Sequence, residues 1–303
     1  MTLKRFLMIV FVAAVLVACG DDGDCNPVNN SDEDSSSSKT VILSGDSREG
    51  SSSSSKAKSS SSSAKSSSSS AKSSSSVAYV EPCRTDSVDT CEYGELVDER
   101  DGQTYKTVKI GTQTWMAENL NYAYTGVPYN YRGFTSDSIS WCYGNNLANC
   151  SKYGRLYTWA AAMDSVGTWS TNGKGCGYFG DCSPTYPVRG ICPEGWHLPT
   201  QTEWNTLFTA VGGSGTAGKT LKFTSGWDSS GNGTDAFSFS AMPAGYRDNY
   251  GDYDDEGDYA DFWSSTEHSG YYAYFMYLYY SYDFAYLTYG FKYYGYSVRC
   301  VKD

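Results

Sequence analysis

Apolar and polar positions divide the chain into stretches of different period. After Lys4 and Arg5 comes an unbroken apolar run, Phe6 to Ala18. It is shorter than the roughly 20 residues of a membrane-spanning helix and suits the core of a signal peptide. From Asp21 to about Val77 apolar side chains nearly vanish. They return in "DGQTYKTVKIGTQTWMAENL", Asp101 to Leu120, as β-rich segments on either side of Gly111-Thr112, which predicts a hairpin burying Val108, Ile110 and Trp115. Two stretches carry a helical period. "RLYTWAAAMDSVG" after Gly154 sets Leu156, Trp159, Ala160 and Met163 on one side, and "TQTEWNTLFTAV" aligns Trp204, Leu207, Phe208 and Val211. The second opens with Thr200 and Glu203 at capping-box spacing. From Phe237 onward the pattern is β-like, in "FSFSAMPAGYR", "DFWSSTE", "YYAYFMYLYY", "FAYLTYG" and "YGYSVRCVKD", separated by Gly, Asp and Ser turns. Two helices followed by short antiparallel strands predict a single α+β domain over residues 99–303, about 205 residues and enough to bury a core.

Leu16-Val17-Ala18-Cys19 resembles a bacterial lipobox, which implies a signal peptide over residues 1–18 and a lipidated Cys19 as the mature N-terminus. Each acyl methylene buried in a bilayer contributes about 0.8 kcal/mol, so several chains on one cysteine make a stable membrane anchor. Gly20 in the next position resembles an outer-membrane address, with display at the cell surface as the expectation. Residues 19–78 include "SSSSSKAKSSSSSAKSSSSSAKSSSS" from Ser51 to Ser76 and have too little apolar surface to offset the entropy of ordering the backbone. They read as a disordered Ser-rich tether with a mean reach of about 40–45 Å by random-coil scaling. A short segment, 79–98, carries Cys83 and Cys91 and leads into the domain.

Ten cysteines in an exported chain point to disulfides. Setting aside Cys19 as the anchor and Cys25 in the tether leaves eight of the ten: Cys83, Cys91, Cys142, Cys150, Cys176, Cys182, Cys192 and Cys300. Many connectivities exist for such a set. Three close couples suggest local bridges, Cys83 to Cys91, Cys142 to Cys150 and Cys176 to Cys182, and Cys192 to Cys300 is left by elimination. Zinc would compete for these residues, but no CxxC pair occurs and both histidines stand apart from the cysteines. The net charge is −11, and many lysines lie in the tether. The globular part is therefore acidic, a poor surface for nucleic acid or anionic membranes.

The order "DGQTYKTVKIGTQTWMAENLNY", "YGRLYTWAAAM", "CPEGWHLPTQTEW", "AGKTLK", "PAGYR", "FWSSTE" and "SVRCVKD" resembles the Fibrobacter succinogenes major paralogous domain of surface lipoproteins. The likeness covers nearly all of residues 99–303. More distantly, "HLPTQTEW" and "VRCV" are similar to elements of the formylglycine-generating, sulfatase-modifying enzymes, whose fold is C-type-lectin-like. That resemblance implies a disulfide-stabilised, lectin-like domain with its two ends brought together. It does not imply the enzymes' chemistry, which needs a reactive cysteine pair near the C-terminus. Only Cys300 lies there, in the position of a structural cysteine.

Other motifs carry weaker signals. Gly213 to Thr220 fits GxxxxGK[ST] residue for residue, yet it follows a helical stripe where a nucleotide loop would follow a strand. No nucleotide partner is expected. In "DNYGDYDDEGDYADFW", Asp252, Asp254, Glu256 and Asp258 offer oxygen ligands, and Asp252, Asp254, Glu256 and Gly257 mimic the start of a calcium loop, but its twelfth position is Trp263. A calcium site would have to be built differently, with Asp248, Asp258 or Asp261. No GxSxG elbow or HExxH helix occurs. Glu203, Glu267 and the acidic loop are the only carboxylates suggesting a hydrolase pair. His197 stands where the lectin-like enzymes carry arginine and reads as a structural hydrogen-bonding residue.

Aromatic density between Tyr271 and Tyr296 is the strongest anomaly of composition. Alternate side chains of a strand face opposite ways, so these rings occupy two faces. Flat rings with polar edges suit sugars or protein contacts, while cross-strand aromatic pairs also stabilise sheets without a ligand. Tyr246, Arg247, Trp263, Tyr271 and Tyr272 are the candidate ligand contacts. The expected function is non-catalytic recognition of a glycan or cell-surface protein by an envelope lipoprotein. The alternatives are a diverged oxidase or carbohydrate-active enzyme, or a purely structural envelope protein.

Overall fold

The computed structural model describes residues 77–131 and 134–303, without the side chains of 126–138. The signal peptide, Cys19, Cys25 and all but the last two residues of the tether lie outside the described residues. Strands β1 (Tyr93–Asp98), β2 (Gln103–Ile110) and β3 (Gln113–Met116) run up and down. The β2–β3 turn is the expected hairpin. Ile110 pairs with Gln113 across Gly111-Thr112, Gly111 takes the left-handed φ of 61°, and Val108, Ile110 and Trp115 are buried. A separate ribbon follows, β4 (Thr125–Tyr131) with β5 (Phe134–Ser138). Next come β6 (Ser140–Trp141), α1 (Leu147–Tyr153), β7 (Leu156–Tyr157), α2 (Trp159–Ala162), β8 (Trp196–His197), α3 (Gln201–Ala210) and α4 (Ser214–Leu221). The remainder is β9 (Ala244–Arg247), β10 (Tyr253–Glu256), β11 (Tyr259–Glu267), β12 (Tyr272–Tyr279), β13 (Ala285–Phe291), β14 (Tyr296–Ser297) and β15 (Val301–Lys302). The class is α+β, with few helices and two curled sheets.

In the first sheet, of order β1-β2-β3-β15-β8, the last strand lies between the N-terminal hairpin and β8. Val301 pairs with Trp115 on one side and His197 on the other. The second sheet runs β10-β9-β11-β14-β7-β6, and β12 and β13 extend it from β11 as an antiparallel meander. Alternation along β11 and β12 divides the core. Ala260, Phe262, Met276 and Leu278 join Trp204, Leu207 and Phe208 of α3, where Trp204 stacks on Trp115 with ring centroids 4.7 Å apart. Trp263 and Phe275 point the other way, to Tyr157, Trp159 and Tyr296.

Helix α3 starts where the capping box places it. Thr200 Oγ1 accepts from the Glu203 N–H, and Glu203 Oε2 accepts from the Thr200 N–H at 2.8 Å. The helix expected after Gly154 is mostly replaced. Leu156 and Tyr157 pair with Ser297 and Tyr296, and only Trp159–Ala162 is helical, capped by Thr158. The backbone of buried β14 needs partners, and pairing with β7 outweighs a local helical period. Asp164, at φ 52°, then turns the chain by accepting the N–H groups of Thr168, Trp169 and Ser170 and the hydroxyl of Tyr124. Helices α1 and α4 have no counterpart in the apolar pattern. The Gly-rich phosphate-loop lookalike forms α4 itself, from its N-cap Gly213 to Thr220, directly after α3 and not after a strand, with the Lys219 ammonium donating to Asn232 O. Gly218 lets α4 approach β13, since a Cβ there would lie 2.4 Å from Phe284 O.

The three disulfides expected from close spacing, Cys83–Cys91, Cys142–Cys150 and Cys176–Cys182, and the fourth left by elimination, Cys192–Cys300, all form. Every cysteine among the described residues is thus oxidised, as befits an extracytoplasmic protein.

Candidate functional site

The structure separates the five candidate ligand contacts. Trp263 is fully buried and its indole N–H donates to Tyr157 O at 2.7 Å, so it is a core residue and offers no ligand surface. Arg247 is buried as well, its guanidinium 4.0 Å above the Trp141 ring. Tyr246 is half-buried beside Tyr294 and Tyr296. Tyr272 is half-buried against Phe291. Tyr271 is the one exposed residue of the five, 49 % accessible.

Tyr271 belongs to an aromatic rim with Tyr178 and Phe179, whose ring centroids lie 5.5 and 5.7 Å from its own. Phe179 is 74 % exposed and holds φ at 73°, a backbone region that costs a bulky residue about 1–3 kcal/mol. The loop that presents it is heavily braced. Cys176–Cys182 closes it, the Phe179 N–H donates to Gly270 O at 3.1 Å, and the buried Lys292 ammonium reaches Gly177 O, Gly180 O and Gly270 O. Lys292 also pairs with Glu267, whose other oxygen accepts the Cys182 N–H at 2.9 Å. Glu267 therefore serves the loop, and it shares no partner with Glu203.

A second aromatic surface lies on β9, β11, β12 and β13. Tyr259 meets Tyr279 at 4.5 Å, and Tyr277 stacks on Tyr286 at 5.2 Å and 20°. Tyr246 and Tyr296 flank them, and Asp261 stands opposite Tyr277 in the strand register. Burial holds the Asp261 carboxyl well above the usual carboxylate range, with the charge of Asp255 adding to it.

The acidic loop does not converge. Glu256 accepts from Tyr153 Oη at 2.8 Å and pairs with Lys152, while Asp248 Oδ1 accepts the N–H groups of Tyr250, Gly251 and Asp252. Asp252, Asp254 and Asp258 join no metal-binding group; among the described residues no three His, Cys, Asp or Glu side chains could hold an ion. A polar cleft of about 1200 Å³ lies elsewhere, lined by Glu95, Lys106, Glu118 and Lys152, with buried Arg299 at its wall.

His197 is a clamp. Its Nε2 lies 2.7 Å from Glu203 Oε1 and its Nδ1 2.6 Å from Asp303 Oδ1, tying the start of α3 to the C-terminus. Two carboxylate acceptors require two N–H donors, so the imidazolium fits. Burial pulls the His197 pKa down, but the hydrogen bonds and charges of Glu203 and Asp303 outweigh it and the net shift is upward. Burial likewise raises the Glu203 carboxyl, and the bonds from His197 and Thr200 bring it below its usual range. Stabilisation from His197 is thus complete below its ordinary value of 6.5 and lost as pH rises through the raised folded value. Stabilisation from Glu203 is present above its ordinary 4.5 and lost as pH falls through the lowered one. The clamp is strongest between these limits. His197→Gln is expected to reduce stability by about 1.5–3 kcal/mol near pH 5.5 and by progressively less toward pH 9, read from urea unfolding. Equal losses at both ends would mean the ring is uncharged in the fold.

The sequence points to Tyr246, Tyr271 and the aromatic run up to Tyr296, but not to Tyr178, Phe179, Tyr259 or the brace beneath Phe179. A lysine is ordinarily exposed, and "GFKYY" around Lys292 gives no sign that three carbonyls from distant loops converge on it. Phe179 itself stands among glycines, in "GCGYFGDC", and that was its one available signal. No curated protein and no solved structure matches the chain. The family model of the Fibrobacter succinogenes major domain matches residues 108–302, from within β2 to the end of β15 and through both aromatic surfaces, and the chain belongs to that family.

Proposed function

We propose that this chain is a non-catalytic recognition protein of the cell envelope. A lipid on Cys19 holds it to the outer membrane, the Ser-rich tether lifts the domain to the cell surface, and the domain binds a glycan or a surface protein. The observation that carries this reading is Phe179, an exposed aromatic kept in a costly backbone conformation. A core has no use for a side chain in water, and strain of this kind persists where a braced loop presents a contact residue. Tyr271 beside it adds a second exposed ring with a polar edge. The pairing of every described cysteine favours recognition over thiol-based catalysis. The insertion of β15 between β3 and β8, locked by Cys192–Cys300, supports a C-type-lectin-like arrangement with the domain's ends together.

The test is retention of the full-length chain on immobilised plant and envelope polysaccharides, together with a cross-linking pull-down from intact cells. Phe179→Ala and Tyr271→Ala are expected to weaken whichever interaction is found by about tenfold each, a typical cost for an aromatic contact residue. Absence of binding in both formats would overturn the reading.

A further inference from the structure

The face built by β9, β11, β12 and β13 holds a group that the fold does not use. Asp261 is 4 % exposed, and among the described residues no hydrogen bond or ion pair reaches its carboxyl. Buried polar groups in native proteins are ordinarily partnered, so an orphan asks what completes it. Alternation along β11 directs Asp261 to the side of Tyr259 and Trp263, opposite Tyr277. The taller rings of Tyr246, Tyr259 and Tyr277 therefore stand around a short carboxyl, with Tyr286, 45 % exposed, stacked at the outer edge.

We propose that this face is a binding site for a neutral saccharide, in which a sugar ring lies against Tyr259, Tyr277 and Tyr286 and one hydroxyl or hydroxymethyl group reaches down to the Asp261 carboxyl. The site is separate from the Phe179 rim and rests on the recognition reading only in requiring that the bound partner be a glycan. Three properties select this chemistry. The C–H face of a pyranose matches the apolar face of a phenol ring, and sugar hydroxyls match the phenolic edges. A hydroxyl both donates and accepts, so it partners a carboxyl in either protonation state; burial, which favours the protonated form of Asp261, makes a neutral partner the better match. Finally, Asp254, Asp255 and Asp258 lie nearby and repel polyanions, which disfavours uronic-acid and sulfated polymers.

Calorimetric titration of the full chain with cellohexaose, xylohexaose and mannohexaose tests this, with polygalacturonate and hexalysine as anionic and cationic controls. At least one neutral hexasaccharide is expected to bind. Asp261→Leu and Tyr277→Ala should each weaken it about tenfold or more, whereas Asp261→Asn, which keeps a donor and an acceptor, should stay within about threefold. Asp261→Leu should melt no lower than the parent, because it removes an unpartnered polar group. If that variant fails to fold, Tyr259→Ala and Tyr277→Ala carry the test. Binding of no neutral saccharide, or binding that is indifferent to Asp261 and Tyr277, overturns the site. Hexalysine binding that depends on Asp261, without saccharide binding, would make the carboxyl a cation receptor and overturn it equally. Loss of saccharide binding on Phe179→Ala alone would leave the recognition reading intact and remove this site.

Discussion

Replacing Arg299 with methionine is expected to destabilise the domain by about 3–5 kcal/mol, because several buried acceptors lose their donor at about 1–3 kcal/mol each. Its guanidinium is fully buried and donates to Asn119 Oδ1 at 2.7 Å, Met116 O at 3.3 Å and Ser240 O at 2.9 Å, and also to Phe239 O. Met116 and Asn119 belong to the N-terminal hairpin and the segment after it, and Phe239 and Ser240 to the loop before β9, so one side chain ties distant stretches together. Methionine fills much of the volume and keeps apolar contact with the Phe239 and Phe262 rings, 4.5 and 5.5 Å from the guanidinium carbon. It leaves the acceptors without donors. Burial draws the Arg299 pKa down to about 9, partly countered by Asp235 and Glu118, and the charge survives at neutral pH. Arg299→Lys is expected to recover little, because a single ammonium cannot reproduce the planar fork. Urea unfolding followed by tryptophan fluorescence reads both variants. A loss under about 1 kcal/mol for the methionine variant would show that the acceptors are met by other groups.

Removing the long disulfide is the second large effect. The Cys192→Ala, Cys300→Ala double variant opens a loop with a sequence separation of 108, for which loop-closure entropy predicts a loss of about 4–5 kcal/mol. The Cys83→Ala, Cys91→Ala variant, with a separation of 8, is expected to lose about 2–3 kcal/mol. Both cysteines of the long bridge are fully buried beside β15, so small cavities add to the entropic loss there. Thermal melting of the two double variants compares the losses directly. If the short-loop variant melts lower than the long-loop one, native-state contacts and not chain closure dominate, and the expected ranking of the two bridges is wrong.

Features set by short-range chemistry were legible from residues alone. The Thr200–Glu203 capping box, the Gly111-Thr112 hairpin and the closely spaced cysteine couples each satisfy their constraints within a few positions. The helix after Gly154 was not, because Leu156 and Tyr157 serve β14, which arrives about 140 residues later. α4 was not, because "SGTAGKT" has weak helical propensity and gains its place by fitting Gly218 under Phe284. Trp263 is core and not a ligand contact for a related reason. Period-two alternation assigns residues to two faces but cannot say that at Phe262 and Trp263 both faces of β11 are covered, one by α3 and the other by Tyr157, Trp159 and Tyr296.

The candidate sites divide in the same way. Residues alone indicate an extracytoplasmic character, the cysteine couples, an acidic α+β domain rich in tyrosine, and membership of a family recognisable from its motifs. These depend on composition and near-neighbour spacing. Tertiary neighbours alone place Lys292 under the Phe179 loop, join His197 to both α3 and the C-terminus, and leave Asp261 without a partner among the described residues. Each depends on groups that are remote in sequence and adjacent in space, and the energy of a buried charge or carboxyl is set by those neighbours, not by the residue itself.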